Sequence, residues 1–239
     1  MLGANIGSTI TAQIVSFQFE SLALPFMAVG LAVQLIGRRR IVKNCGMILL
    51  GFGILFFGFI LMKGAVAHWK DQGLIDLWFT KFARPGISSI VLGFLIGLVA
   101  TGIVQSSGAT IGILVALAAG GGISSFQMAL PMILGCNVGT CVTALLASVN
   151  TSVAAVRAAF AHLFFNLILV VIVLPISPFV VKGTEWITGP DVARQIANGH
   201  TAIKGCWSFA FSSFCTSLCG FDKMAPAGKR RILCCSGIS

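Results

Sequence analysis

The run Gln105-Ser106-Ser107-Gly108-Ala109-Thr110 is the sharpest chemical feature of the chain, because it sets uncharged hydrogen-bonding groups inside a long apolar stretch. Such groups are costly in apolar surroundings unless they are satisfied. If the helix unwinds there, freed backbone carbonyls join the Gln and hydroxyl oxygens as ligands for Na+. The half-helix that follows points its unpaired N–H groups and the positive end of its dipole at the same place. That end suits an anion without any Arg or Lys. One motif thus offers both a cation site and an anion site, as coupled movement of sodium with an anion requires.

Two further segments carry the same physics, Asn137-Val138-Gly139-Thr140 and Asn5-Ile6-Gly7-Ser8-Thr9. They belong to an internal repeat in which Gly3–Ala12 (GANIGSTITA) matches Gly135–Ala144 (GCNVGTCVTA), with Ser16 and Ser148 following at the same offset. Chance likeness between apolar segments is common, but a shared Asn inside G-x-N-x-G is less so. Transporters often contain two such halves and hold substrate where their discontinuous helices meet at mid-membrane. The plain alternative for all three segments is interhelical hydrogen bonding, worth about 1 kcal/mol per contact.

The elements that must position these groups are apolar helices. Hydrophobic residues make up 57% of the chain and charged residues 9%. A soluble domain carries about a quarter charged residues, so this chain has too few to cover a surface facing water. Pro85 to Val156 holds no Asp, Glu, Lys or Arg, and neither do Asn44–Met62 and Ala158–Val181. Roughly 20 apolar residues span a bilayer core, so the first stretch alone has room for more than two crossings. The pattern predicts helices over Ser21–Gly37, Asn44–Met62, Ile87–Val104, Ala109–Ala119, Ser125–Leu134, Thr140–Ser148 and Arg157–Val180, the last ended or kinked by Pro175 and Pro178. Gly64–Phe82 mixes Trp69 and Trp78 with charges and reads as an interfacial amphipathic helix. Breaks are expected at Gly102 to Gly108, at Gly120-Gly121-Gly122 and at Gly135 to Gly139.

The net charge of +10 sits at segment ends. Arg38, Arg39, Arg40 and Lys43 lie between two apolar runs and read as a cytoplasmic loop. No aromatic-and-basic pattern of a nucleic-acid module is present. No paired carboxylates and no nucleophile–base–orienter set lie in the apolar segments, which argues against an enzyme. The N-terminus lacks the basic region and cleavage site of a signal peptide. The expectation is an all-α, polytopic membrane protein of the cell membrane, a helical bundle with discontinuous helices and no bound cofactor.

The segments TGIVQSSGATIG and GCNVGTCVTA, with the second G-x-N-I-G-x-T copy, resemble the type II sodium/phosphate cotransporters over roughly Gly3 to His200. That resemblance implies two inverted repeats, each with a Q-S-S and a G-x-N-x-G motif that together form the phosphate and sodium sites. By it, Gln105, Ser106, Ser107 and Thr110 match the substrate and sodium segment of the second repeat, with Gly108 where many members have a third Ser. Asn137, Gly139 and Thr140 match its partner loop, and Asn5, Gly7, Ser8 and Thr9 match the partner loop of the first repeat. Cys141 stands where Thr is often found. The implied ligands are inorganic phosphate and Na+, the latter as coupling ion. The resemblance also implies a first Q-S-S motif ahead of Gly3, which makes this chain an N-terminally shortened member. A homodimer or a second subunit is then a candidate source of the missing half. A non-transporting membrane scaffold subunit and a carrier of another small anion are the competing functions.

Ala161-His162-Leu163-Phe164-Phe165-Asn166 looks like the A-H-x-x-F-N helix motif of that family, and a second copy begins at Asn198-Gly199-His200-Thr201. The composition then changes, and Cys206, Cys215, Cys219, Cys234 and Cys235 all fall beyond it. A metal site, a disulfide-bearing external tail and a reading-frame shift near Ala202 each account for such a tail, and the sudden loss of pattern favours the last. The division expected is a transmembrane transporter domain over 1–201 and a Cys-rich, non-native or disordered tail over 202–239. His162, mid-span with no carboxylate in reach, reads as a neutral structural residue. His68 reads as an interfacial group and His200 as a helix-end group.

Overall fold

A computed structural model describes residues 2–17, 19–73 and 86–223. Among the described residues the chain is helical and without strands. It runs α1 (Leu2–Ser16), a 3-10 turn (Glu20–Leu22), α2 (Ala23–Ile36), α3 (Arg40–Asp71), α4 (Ile87–Val104), α5 (Ser107–Ala119), α6 (Phe126–Ser148), α7 (Val153–Val173), α8 (Ser177–Thr188) and α9 (Val192–Lys223). Four helices, α3, α4, α6 and α7, are long and apolar enough to cross a membrane, and α1 with α2 make a fifth if that bent pair is one span. The protein is a multi-pass, all-α membrane bundle.

Glycines set how closely the helices approach. A β-carbon on Gly97 or Gly135 would fall on the carbonyl oxygen of Met132 or Phe94, so α4 and α6 touch backbone to backbone. Gly46 and Gly53 do the same between α3 and α2, where a β-carbon would lie 2.6 Å from backbone nitrogens of Gln34 and Met27. Close approach through small residues is how membrane helices pack when apolar surface alone gives no preference for protein over lipid.

The core centres on α6. Of its most apolar stretch 67% is buried, against 17% for α4, which places α6 inside the described bundle and α4 at its surface. Ile87, Val91, Leu95, Val99 and Ile103 line the outer face of α4 and are exposed. Ile111, Val115, Phe126, Ile133, Leu134 and Ile196 fill the centre with almost no exposure.

Several expected boundaries agree with the structure. Helix α4 occupies Ile87–Val104, Gln105 and Ser106 interrupt the chain before α5, and the triple glycine ends α5. Pro175 lies between α7 and α8, and Pro178 sits in the first turn of α8. Other expectations fail. No break occurs at Gly135 to Gly139: α6 runs unbroken through both helices expected there, with Asn137 in its middle. Its glycines serve contact with α4 rather than unwinding. Asn5-Ile6-Gly7-Ser8-Thr9 is likewise helical, within α1, rather than a loop. Residues 64–71 do not start an interfacial helix but continue α3; the rest of the Gly64–Phe82 segment lies outside the described residues.

Helices α1 and α6 repeat one another in detail. Each ends on the serine that the sequence repeat aligns, and each serine closes its last turn in the same way. Ser16 Oγ donates to the Gln13 carbonyl at 2.8 Å and Ser148 Oγ to the Leu145 carbonyl at 2.8 Å. Each copy also packs on a helix that carries a Gly/Ala-His motif, α9 for α1 and α7 for α6.

Helix α9 continues across Thr201, where the composition changes. Ile203, Lys204 and Ser208 are buried, Trp207 Nε1 donates to the Phe165 carbonyl at 3.2 Å, and Phe211 meets the Phe165 ring edge-on with centroids 4.8 Å apart. Cys206 is exposed, while Cys136 and Cys141 are buried free thiols.

Candidate functional site

The break between α4 and α5 is a built turn. Gln105 takes left-handed backbone angles (φ 57°, ψ 21°), and its N–H still reaches the Thr101 carbonyl at 2.7 Å, closing α4. Ser106 is extended and caps α5: its Oγ accepts from the Ala109 N–H at 3.2 Å. Thr110 Oγ1 donates to the Ser106 carbonyl at 3.0 Å. Gln105 and Ser106 are exposed, whereas Ser107, Gly108 and Thr110 are buried. The polar run is therefore divided, its first half open and its second half directed into the bundle.

Because Ser106 holds the first turn of α5, Ser106→Ala is expected to lower the local stability of that turn by about 1 kcal/mol. Faster hydrogen exchange at the Ala109 amide, with the end of α4 unaffected, is the measurement that checks it.

Two contacts draw the other motifs to this break. A β-carbon on Gly108 would lie 3.2 Å from the Thr11 side chain, so the start of α5 rests on α1 beside Ser8 and Thr9. A β-carbon on Gly139 would lie 2.8 Å from the Thr101 side chain and 2.6 Å from the Leu98 carbonyl. That places the G-x-N-x-G segment of α6 against the last turn of α4. The three polar segments singled out in the sequence thus converge on one region.

Within it the side chains fall into two groups. Some are satisfied inside their own helices: Thr140 Oγ1 donates to the Cys136 carbonyl at 2.8 Å, Thr9 Oγ1 to the Ile6 carbonyl at 2.7 Å and Ser8 Oγ to the Asn5 carbonyl at 2.9 Å. Gly139 is a packing residue, and Gly7 is exposed with open space around it. Others are buried without a partner. Asn137 is 0% exposed, and neither its Oδ1 nor its Nδ2 makes a hydrogen bond; Thr101 Oγ1 is in the same state. Native proteins seldom leave buried polar groups so, and those that do hold them for a ligand are a recognised exception. Asn5 is buried on α1 at the position that the repeat equates with Asn137.

Three residues escaped the sequence reading, and a fourth, His200, reads differently in the structure. Thr101 sits one turn before the polar run and looks there like an ordinary helical threonine. Gln13 Nε2 donates to Asn198 Oδ1 at 3.0 Å and to Thr201 Oγ1 at 2.8 Å, tying α1 to α9. His200 is not a helix-end group: it lies within α9, 0% exposed, with both ring nitrogens unpartnered. Lys204 is 2% exposed, and its Nζ donates to Ser8 Oγ at 3.0 Å. The signal for the last two was the spacing His162…Asn166, repeated as His200…Lys204. In α7 that Asn donates to Cys141 Sγ at 3.3 Å and to the His162 carbonyl at 3.0 Å, so the same spacing faces each copy of the G-x-N-x-G helix.

The chain is 34% identical to "Uncharacterized protein YqeW" of Bacillus subtilis (strain 168), covering 83% of this chain and 62% of that protein. It is 28% identical to "Putative inorganic phosphate export protein YjbB" of Escherichia coli (strain K12) and to the protein of the same name in Salmonella typhimurium. Those matches cover 73% of this chain and 31% of the relative. The chain thus spans less than two thirds of the length of these relatives. No solved structure matches it significantly. The profile described as Na+/Pi-cotransporter matches residues 1–64 and 78–174, most of the chain, including all three polar segments: the chain belongs to the Na+/Pi-cotransporter family.

Proposed function

We propose that this chain carries part of the substrate path of a sodium-coupled phosphate transporter, with the ligands bound at the α4–α5 break. The observation that carries the reading is the buried Asn137 amide, unpartnered on both atoms, on the helix that packs against the turn leading into Gln105. An amide offers a carbonyl oxygen to Na+ and an N–H to a phosphate oxygen. Thr101 and the inward-facing Ser107 and Thr110 add hydroxyls. Gln105 and Ser106 line the open side, and Asn5, Ser8 and Thr9 approach from α1. Gly108 takes part by letting Thr11 come close. Gly139 contributes by seating α6 against α4, Thr140 by closing its own helix turn, and Gly7 by leaving the exposed face of α1 open.

Sodium coupling and the direction of flux belong to this proposal. Two relatives carry a name that refers to phosphate export, and a symporter runs in whichever direction its gradients set. Since the chain spans only part of its relatives' length, binding is the measurement to make on it. Radiolabelled phosphate should bind the purified chain in lipid nanodiscs in sodium buffer and not in choline buffer. Gln105→Ala should abolish that binding. So should Gln105→Asn, which keeps a residue tolerant of left-handed backbone while shortening the side chain. Binding that persists in both variants would remove Gln105 from the site, and binding indifferent to sodium would remove the coupling.

A further inference from the structure

We propose that Lys204 is a charged ligand for a tetrahedral oxyanion, seated between α1 and α9. Its Nζ lies 3.0 Å from Ser8 Oγ, and Ser8 in turn donates to the Asn5 carbonyl. An ammonium carries three donors, and Ser8 occupies one. Taking such a charge out of water costs several kcal/mol unless an opposite charge meets it. Among the residues whose side chains are described, no buried carboxylate does so. Glu20 pairs with Lys63 at 2.7 Å, while Asp71, Glu185 and Asp191 are exposed. A bound oxyanion would supply that opposite charge.

The surroundings fit an oxyanion. One turn before Lys204 on the same helix, His200 is buried with both ring nitrogens unpartnered and can donate one N–H. Asn5 and Thr9 lie on α1 to either side of Ser8, both buried. The same position is filled differently in the other half of the bundle. There the spacing ends in Asn166, whose amide is satisfied by Cys141 and by its own helix. Replacing that neutral amide with an ammonium turns a helix-to-helix hydrogen bond into a fixed positive charge. The inference rests on the proposed phosphate reading and extends it to a residue outside the polar segments.

The test is a thermal-unfolding series on the full chain in neutral-lipid nanodiscs, with inorganic phosphate as the probe. The wild type should gain stability with phosphate, and Lys204→Met should lose that gain, with affinity reduced roughly ten- to a hundredfold, as expected for one charge-assisted hydrogen bond. Without phosphate, Lys204→Met should unfold at the same or a higher temperature, since it removes an unneutralised buried charge. Lys204→Arg, which keeps the charge, should retain part of the phosphate response. Lys204→Asn, which copies the other half, should behave as Lys204→Met does. Equal phosphate stabilisation of wild type and Lys204→Met would overturn the proposal, and so would an equal effect of chloride on the wild type. If Gln105→Ala abolishes binding while Lys204→Met does not, this inference fails alone. If Lys204 governs binding while sodium and Gln105→Ala have no effect, the site at the α4–α5 break fails alone.

Discussion

Gly135→Val should leave little folded protein. A β-carbon at that position falls on the Phe94 carbonyl oxygen and lies 2.8 Å from the Leu98 nitrogen. Both neighbours are backbone of α4, so no side chain can swing away and the two helices must separate. Separation would also lift Gly139 from Thr101 and Gly97 from Met132, undoing the contact along its length. Overpacking a core with movable side chains costs about 1–3 kcal/mol; a backbone clash at the closest helix pair should cost more than that upper figure. The readout is the monodisperse fraction after detergent extraction together with the unfolding temperature. Gly58→Ala is the control, because nothing lies within 4 Å of its β-carbon position and alanine favours a helix by about 1 kcal/mol over glycine. If Gly135→Val folds like the control, α4 and α6 are not in backbone contact.

Asn137→Ala should have the opposite signature, a more stable empty protein that no longer responds to ligands. The wild-type amide is wholly buried and forms no hydrogen bond, and leaving a buried polar group unsatisfied costs about 1–3 kcal/mol. Alanine removes that cost and returns some of it as a small cavity, for a net gain of about 1 kcal/mol. Sodium and phosphate together at about a hundredfold over their dissociation constant should stabilise the wild type by about 2.7 kcal/mol, and the variant by far less. A residue that merely joins helices would do the reverse: its loss would weaken the fold and leave ligand response intact. Unfolding curves with and without both ions therefore separate a binding role from a scaffold role in one experiment.

Much of the bundle could be read from the sequence because membrane burial writes itself in single residues. A charge-free run from Pro85 to Val156 has few alternatives, and the Gln105-Ser106 interruption lies where polar groups are densest. The segment Gly135 to Gly139 was misread because glycine has two uses in a membrane helix. It eases unwinding, and it also permits close contact between intact helices. Only the position of α4 decides between them, and that is a property of the tertiary fold. The candidate site was legible as a set of segments but not as a set of contacts. Thr101 has nothing unusual around it in the sequence; it matters because Gly139 rests on it. His200 reads as a helix end, and Lys204 goes unnoticed, because the composition shift beyond Thr201 obscures a spacing that continues through it. Helix α9 is indifferent to that shift as far as Phe211, whose ring still packs on Phe165.

The brevity of α5 has an electrical consequence. Its 13 residues rise about 20 Å, some 10 Å less than the hydrocarbon thickness of a bilayer. If the turn at Gln105 and Ser106 lies within the membrane, the depth that α5 does not span is left to water entering from one side. Water conducts where hydrocarbon insulates, so the potential difference falls mainly across the remaining protein-filled layer. An ion reaching the turn through water crosses little of that drop, and the step that carries it past α5 crosses most of it. Movement of one charge through the whole drop is worth about 2.3 kcal/mol per 100 mV; under the proposed function, release past α5, rather than arrival at the turn, would then be the step that membrane voltage controls.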